Sequence, residues 1–121
     1  MAEHGCGAII ITCIDYRFQE YINKWIGENF LPGTYDRGAF AGAAKSLDTI
    51  VEQVGISAKL HHIKKVVLIN HEDCGAYGKE GRIDQHIKDL KKARQRITKQ
   101  YPIFEIDTFY LKLDGTFEQD F

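Results

Sequence analysis

The chain has 121 residues, of which 44% are hydrophobic and 27% are charged, and its formal net charge is -1 at pH 7. These proportions are those of an ordinary globular protein and exclude a disordered or low-complexity chain, and the length predicts a single domain over residues 1–121. Lys and Arg number 16 and Asp and Glu 17, which excludes the strongly basic balance of a nucleic-acid-binding protein.

The apolar segments of the sequence are too short to cross a membrane. The first of them, residues 7–12, is also shorter than a signal-peptide core and has no basic leader. We therefore expect a cytoplasmic protein without a membrane partner, in which cysteines stay reduced. Cys6, Cys13 and Cys74 are then metal ligands, nucleophiles or buried apolar residues rather than a disulfide framework.

Four segments are predicted to be β-strands. Residues 8–12 (AIIIT) and 65–70 (KVVLIN) are nearly continuous apolar runs rich in β-branched side chains, which is typical of strands buried on both faces of a parallel sheet. Residues 34–37 form a third candidate. Residues 104–113 (FEIDTFYLKL) alternate apolar and polar side chains, which predicts an edge strand with one face in water.

Three helices are predicted between these strands, from apolar residues that recur at three- and four-residue spacing. The third covers residues 84–100 and is followed by Pro102, which cannot continue a helix. This alternation predicts an α/β fold, a three-layer, open, mostly parallel sheet of about four to five strands with helices on both faces. The apolar positions that define the helices are Phe18, Tyr21, Ile22, Trp25 and Ile26; Ala43, Ala44, Leu47, Ile50, Val51 and Val54; and Ile83, Ile87, Leu90, Ala93 and Ile97.

Two polar segments come directly after the two apolar strands. Residues 13–17 (CIDYR) follow the first strand, and residues 71–75 (HEDCG) follow the second. In an open α/β sheet, ligands bind beyond the carboxyl ends of the strands, where neighbouring crossovers leave on opposite faces. If the two strands are neighbours, Cys13, His71 and Cys74 converge at that crevice.

We predict that Cys13, His71 and Cys74 bind one Zn²⁺ ion per chain, since two thiolates and an imidazole form a soft donor set. Three protein ligands leave the fourth tetrahedral position open, which is typical of catalytic zinc sites. Arg17 can form a bidentate pair with Asp15, which would lower the pKa of this carboxyl group and keep it off the metal. If Arg17 released it, Asp15 could become the fourth ligand and close the site.

The pattern Cys-x-Asp-x-Arg after one apolar strand and His-x-x-Cys-Gly after another resembles the β-class carbonic anhydrase family. Residues 110–115 (YLKLDG) are similar to the last strand and turn of that family. The resemblance implies zinc on Cys13, His71 and Cys74, with Asp15 and Arg17 as the catalytic dyad beside it. It also implies that zinc-bound hydroxide hydrates carbon dioxide reversibly to bicarbonate, in a homodimer or higher homo-oligomer whose subunits line the substrate pocket together.

Other functions are compatible with the same residues. Relatives of this family also hydrolyse carbonyl sulfide or carbon disulfide, so a zinc hydrolase of these substrates is one alternative. A second is a non-catalytic structural or sensory zinc domain, in which Asp15 closes the metal site permanently. A cysteine-nucleophile phosphatase or sulfurtransferase using Cys13 and Arg17 is disfavoured, because the three residues between them are too few for backbone amides to wrap an oxyanion.

The remaining polar residues are predicted to have ordinary roles. Cys6 has no partners of the kind that surround Cys13, and we expect it to pack against the core or to be an idle thiol. Arg37 either binds an anion or pairs with Asp36 or another acidic residue. Solvated positions are expected for His61, His62 and His86.

Overall fold

The computed structural model describes residues 4–119, in which strands and helices alternate along the chain. The strands are β1 (Ala8–Thr12), β2 (Tyr35–Ala39), β3 (Lys65–His71), β4 (Glu105–Leu111) and β5 (Phe117–Glu118). The α-helices are α1 (Gln19–Asn29), α2 (Leu47–His61) and α3 (Ile83–Gln100). Short 3₁₀ turns precede the three helices at Tyr16–Phe18, Ala43–Lys45 and Gly78–Glu80.

The strands form one five-stranded sheet in the order β2-β1-β3-β4-β5. The neighbours from β2 to β4 are parallel, and β5 pairs with β4 in the antiparallel direction. The chain leaves β1 toward β2 on one side and leaves β3 toward β4 on the other, so the gap between β1 and β3 is the switch point of the sheet. The predicted open, mostly parallel α/β sheet is confirmed.

Helices cover both faces of the sheet, because successive side chains of a strand point to opposite faces. α2 and α3 pack on one face and α1 packs on the other. The buried cluster on the first face comprises Ile9, Ile11, Ala44, Ile50, Val54, Ile63, Val66, Leu68, Leu90, Ala93 and Ile97. The cluster on the opposite face comprises Ile10, Phe18, Ile22, Ile26, Val67, Ile69, Phe109 and Leu111.

The prediction that residues 104–113 form a strand at the edge of the sheet is wrong. β4 has β3 on one side and β5 on the other, and its last four residues are buried. The chain returns to form β5 through a turn in which Asp114 Oδ1 accepts a hydrogen bond from the Thr116 N–H at 2.9 Å. Gly115 has a φ of 90° in this turn, a conformation that glycine adopts without strain.

Two other strand boundaries differ from the sequence prediction. β2 covers Tyr35–Ala39, so it ends two residues after the predicted segment 34–37. β3 continues through His71, which is therefore the last residue of the strand and not the first residue after it. The longest helix, α3, begins one residue before the predicted 84–100 and buries one face. Among residues 4–119, no helix is both long enough and apolar enough to span a membrane.

Candidate metal centre

Cys13, His71 and Cys74 lie together at the carboxyl ends of β1 and β3. Thr12, which precedes Cys13, is aligned with Ile69 in the parallel register, so the two strands end side by side. One donor atom from each of the three side chains lies within 4.8 Å of the others, and the two sulfur atoms are 3.9 Å apart. The structure therefore brings these residues together at the switch point of the sheet.

The donor atoms of this cluster fit a metal ion. The side chains of Cys13, His71 and Cys74 are buried. His71 Nδ1 lies 2.8 Å from the Glu72 carbonyl oxygen, and because that oxygen only accepts, Nδ1 carries the proton. Nε2 therefore has a free lone pair, and it is buried without a hydrogen-bond partner among the described residues. A buried lone pair beside two sulfur atoms is chemically suited to a zinc ion.

The two thiols of the cluster differ in how easily they ionise. Burial opposes ionisation of Cys13, but the neighbouring His71 side chain and the hydrogen bond from the Gly42 N–H, 3.3 Å from the sulfur, outweigh burial and lower the pKa of Cys13. Burial and the neighbouring Cys13 sulfur raise the pKa of Cys74. Two neighbouring thiolates repel each other, and a divalent cation would offset this repulsion because metals bind the thiolate form.

Asp15 and Arg17 form a bidentate ion pair beside the cluster. Arg17 Nη2 donates to Asp15 Oδ2 at 2.7 Å, and Nε donates to Oδ1 at 3.1 Å. Asp15 also caps the turn Tyr16–Phe18, where its Oδ1 accepts from the Arg17 N–H. The hydrogen bonds from Arg17 lower the pKa of Asp15 to about 2. Asp15 Oδ2 lies 3.8 Å from His71 Nε2, so an ionised carboxylate borders the cluster.

Arg17 has a second acidic partner, Asp73, which the sequence analysis missed. Arg17 Nη1 donates to Asp73 Oδ2 at 3.0 Å, and Nη2 donates to the Asp73 carbonyl oxygen at 2.8 Å. Asp73 has a φ of 56°, in the left-handed region that aspartate tolerates better than most residues. Arg17 therefore ties the segment after β1 to the turn that carries Cys74.

A buried network of polar side chains lies next to the turn that carries Cys74. The Asn70 side chain accepts from the Ala44 N–H and donates to Tyr77 Oη and His86 Nδ1, at 3.0, 2.9 and 2.9 Å. Tyr77 in turn donates to Asp89 at 2.7 Å. His86 is fully buried, so its predicted solvated position is wrong, and burial lowers its pKa to about 4. The sequence signal for this network was Asn70 at the end of an apolar strand, because a buried amide side chain needs hydrogen-bond partners.

Arg37 does not pair with Asp36, contrary to one of its two predicted roles. The two side chains leave β2 on opposite faces, and Arg37 Nη2 lies 3.5 Å from Gln19 Oε1. Gln19 Nε2 donates to the carbonyl oxygens of Cys13 and Asp15 at 3.2 and 2.9 Å. Arg37 is thus linked through Gln19 to the segment after β1, and anion binding stays a prediction.

A cavity of about 250 Å³ opens beside the cluster. Its wall is largely apolar and includes Ile14, Ala41 and Ala76, together with Asp15. Tyr16 also lines the cavity, and both Ile14 and Tyr16 are largely exposed to solvent, with exposed fractions of 61% and 86%. The space suits a small uncharged molecule better than a large or strongly ionic one.

Comparison with sequence relatives identifies a family match along nearly the whole chain. A family model described as "Putative carbonic anhydrase" matches residues 3–119. An uncharacterized protein of Rickettsia conorii is 30% identical over 130 residues, which cover 92% of this chain and 70% of that protein.

Solved structures have the same fold at low sequence identity. A carbonic anhydrase from Streptococcus mutans has a TM-score of 0.72 at 14% identity, over 97% of this chain and 82% of that one. For β-carbonic anhydrase isoform I from Trichomonas vaginalis the TM-score is 0.67 at 16% identity, and the match covers 98% of this chain and 86% of that one. For the apo form of a carbon disulfide hydrolase the TM-score is 0.60 at 13% identity, and the match covers 93% of this chain and 76% of that one. These likenesses show that the fold is that of the β-carbonic anhydrases, and the match over residues 3–119 confirms the resemblance: the chain belongs to the family described as "Putative carbonic anhydrase".

Proposed function

We propose that this protein is a zinc-dependent lyase that hydrates carbon dioxide reversibly to bicarbonate. The observation that carries the proposal is the buried donor set of Cys13, His71 and Cys74, in which His71 Nε2 has no hydrogen-bond partner among the described residues. The carboxylate–guanidinium pair of Asp15 and Arg17 beside this set and the family membership of the chain support it further.

The residues around the donor set have separate tasks in this proposal. A zinc ion bound there would supply the Lewis acidity that makes water nucleophilic at neutral pH. Asp15 accepts a hydrogen bond from the reacting water and orients it, because its carboxylate is ionised and lies 3.8 Å from His71 Nε2. Arg17 holds both Asp15 oxygens and so keeps them from binding the metal. Asp73 fixes Arg17 in this position.

The cavity beside the donor set accepts the substrate in this proposal. Its apolar wall favours uncharged carbon dioxide, and the bicarbonate product is expelled more readily because it is charged. Ile14 and Tyr16 are exposed at its margin. A second copy of the chain would bury these side chains and complete the wall, so we propose a homodimer or higher homo-oligomer.

A zinc hydrolase of carbon disulfide or carbonyl sulfide is the second candidate. The fold shared with a carbon disulfide hydrolase and the apolar cavity favour it. Its substrates are also small, uncharged heterocumulenes, so the same residues would serve both reactions. A permanently closed zinc domain is less well supported, because both Asp15 oxygens are engaged by Arg17.

Carbon dioxide hydration by the zinc-loaded protein tests the leading proposal. We expect stopped-flow measurements with a pH indicator to give a rate well above that of buffer, and the metal-free protein to give none. Sulfide release from carbonyl sulfide and carbon disulfide is measured on the same sample. A zinc-loaded, assembled protein with no hydration above buffer from neutral to alkaline pH would rule out the lyase, and sulfide release would then favour the second candidate.

A further inference from the structure

A second group of metal-ligating side chains lies at the amino-terminal edge of the sheet, at the opposite end of the strands from Cys13. It consists of Cys6, just before β1, Asp36 in β2 and His61 at the end of α2. One donor atom from each lies within 4.8 Å of the others, although the residues are far apart in the sequence. Thiolate, carboxylate and imidazole are the three ligand types that zinc accepts from proteins.

The segment that carries Cys6 is fixed to the rest of the fold. The Cys6 N–H donates to the His61 carbonyl oxygen at 3.0 Å, and the Gly7 N–H donates to the Thr34 carbonyl oxygen at 3.0 Å. At Gly5, a Cβ atom would lie 2.7 Å from the His61 carbonyl oxygen, so this close approach requires glycine. Cys6 is half-buried and packs against the core beneath α2. Its thiol is therefore held close to His61.

Asp36 and His61 are already oriented toward each other. His61 Nδ1 lies 2.6 Å from Asp36 Oδ2, and the Ser57 hydroxyl donates to the same oxygen at 2.5 Å. The exposed fractions of the His61 and Asp36 side chains are 29% and 28%, so an ion can enter from solvent while remaining partly shielded from it. The His4 ring is centred 5.0 Å from the His61 ring.

We propose that Cys6, Asp36 and His61 form a second, structural zinc site. Zinc bonds of about 2.0–2.3 Å in a tetrahedron place donor atoms roughly 3.3–3.6 Å apart. The carboxylate and imidazole then separate by less than about 1 Å, and the widest pair closes by at most about 1.5 Å, which side-chain rotation provides. One thiolate and one carboxylate neutralise the ion, and Ser57 remains a hydrogen-bond donor to Asp36.

Metal at this position joins three separate parts of the fold. Cys6 belongs to the entry into β1, Asp36 to the strand at the β2 edge of the sheet, and His61 to the carboxyl end of α2. An ion that binds the folded state alone stabilises it by mass action, so zinc raises the unfolding temperature. The site is independent of the Cys13 cluster, because the two lie at opposite ends of the strands.

Zinc stoichiometry of the metal-free, full-length protein tests this site. In titrations against a chromophoric chelator, we expect two equivalents per chain for the wild type and one each for Cys6→Ser and Cys74→Ser. The double variant binds none. Zinc raises the unfolding temperature of Cys74→Ser, and this shift disappears in the double variant. Asp36→Asn, which keeps an oxygen for the Ser57 hydroxyl, replaces Cys6→Ser if the latter does not fold, as judged by circular dichroism.

His62→Asn is the matched control, because His62 is an exposed neighbour of His61 with a φ of 56°, which asparagine tolerates. It should still bind two equivalents. Cobalt provides a second readout: Cys74→Ser should show a thiolate-to-metal absorption band that Cys6→Ser/Cys74→Ser lacks. One equivalent in the wild type that Cys6→Ser retains, two equivalents in Cys6→Ser, or a cobalt band that persists in Cys6→Ser/Cys74→Ser would overturn the proposal.

Discussion

Replacing Cys74 by serine is expected to remove one zinc equivalent per chain and to reduce carbon dioxide hydration to the level of the metal-free protein. A serine hydroxyl remains protonated at neutral pH and is a poor zinc ligand, whereas the cysteine binds as a thiolate. Only Cys13 and His71 would remain, and two ligands do not complete a stable tetrahedral site. Zinc content after gel filtration, together with the stopped-flow rate, measures both effects.

Ala76→Ser is the matched control for this variant. Ala76 is exposed on the same turn, two residues after Cys74, so the substitution introduces the same hydroxyl group without removing a donor. We expect it to keep the full zinc content of the wild type. If Cys74→Ser retained that content and its activity, Cys74 would not be a ligand and the proposed centre would be wrong.

Replacing Asp15 by asparagine is expected to leave zinc bound but to lower kcat/KM for hydration by about 100-fold or more. The amide is nearly the same size as the carboxylate, and its oxygen can still accept from the Arg17 N–H. It has no negative charge, however, and its NH₂ group faces the donors of Arg17. The reacting water would therefore lose its acceptor, while the three proposed zinc ligands stay in place.

Asp84→Asn controls for the loss of one negative charge. Asp84 lies at the start of α3, its side chain is 76% exposed, and its nearest cation, Arg82, is 3.8 Å away. Its variant should hydrate carbon dioxide like the wild type. Full activity in Asp15→Asn would refute the role given to this carboxylate. Loss of zinc in Asp15→Asn would instead favour the closed zinc domain, in which Asp15 is itself a ligand.

The central strands of the fold could be predicted because their burial leaves a clear pattern. β1 and β3 are covered by helices on both faces, so their sequences are nearly continuous apolar runs, and the predicted and observed bounds agree to within one residue. β5 could not be predicted, since a two-residue strand has no periodicity. For the same reason the sequence could not show that β4 has a neighbour on its second side.

The convergence of Cys13, His71 and Cys74 could be predicted from their positions at the ends of two buried strands. Contacts that depend on how the elements pack left no comparable signal. Asp73 meets Arg17 only because its backbone turns into the left-handed region. The buried position of His86 depends on the placement of α3 against Asn70. Cys6 meets Asp36 and His61 only through the register of β2 and the length of α2, neither of which the sequence pattern defines.

A crystal structure of the zinc-loaded protein, with anomalous diffraction recorded at the zinc edge, is the most direct test of the proposed centre. We expect an anomalous peak about 2.3 Å from the sulfur atoms of Cys13 and Cys74 and about 2.0–2.1 Å from His71 Nε2. Asp15 should remain paired with Arg17 and unbound to the ion. A zinc-loaded crystal without a peak bonded to these three atoms would contradict the proposed metal centre.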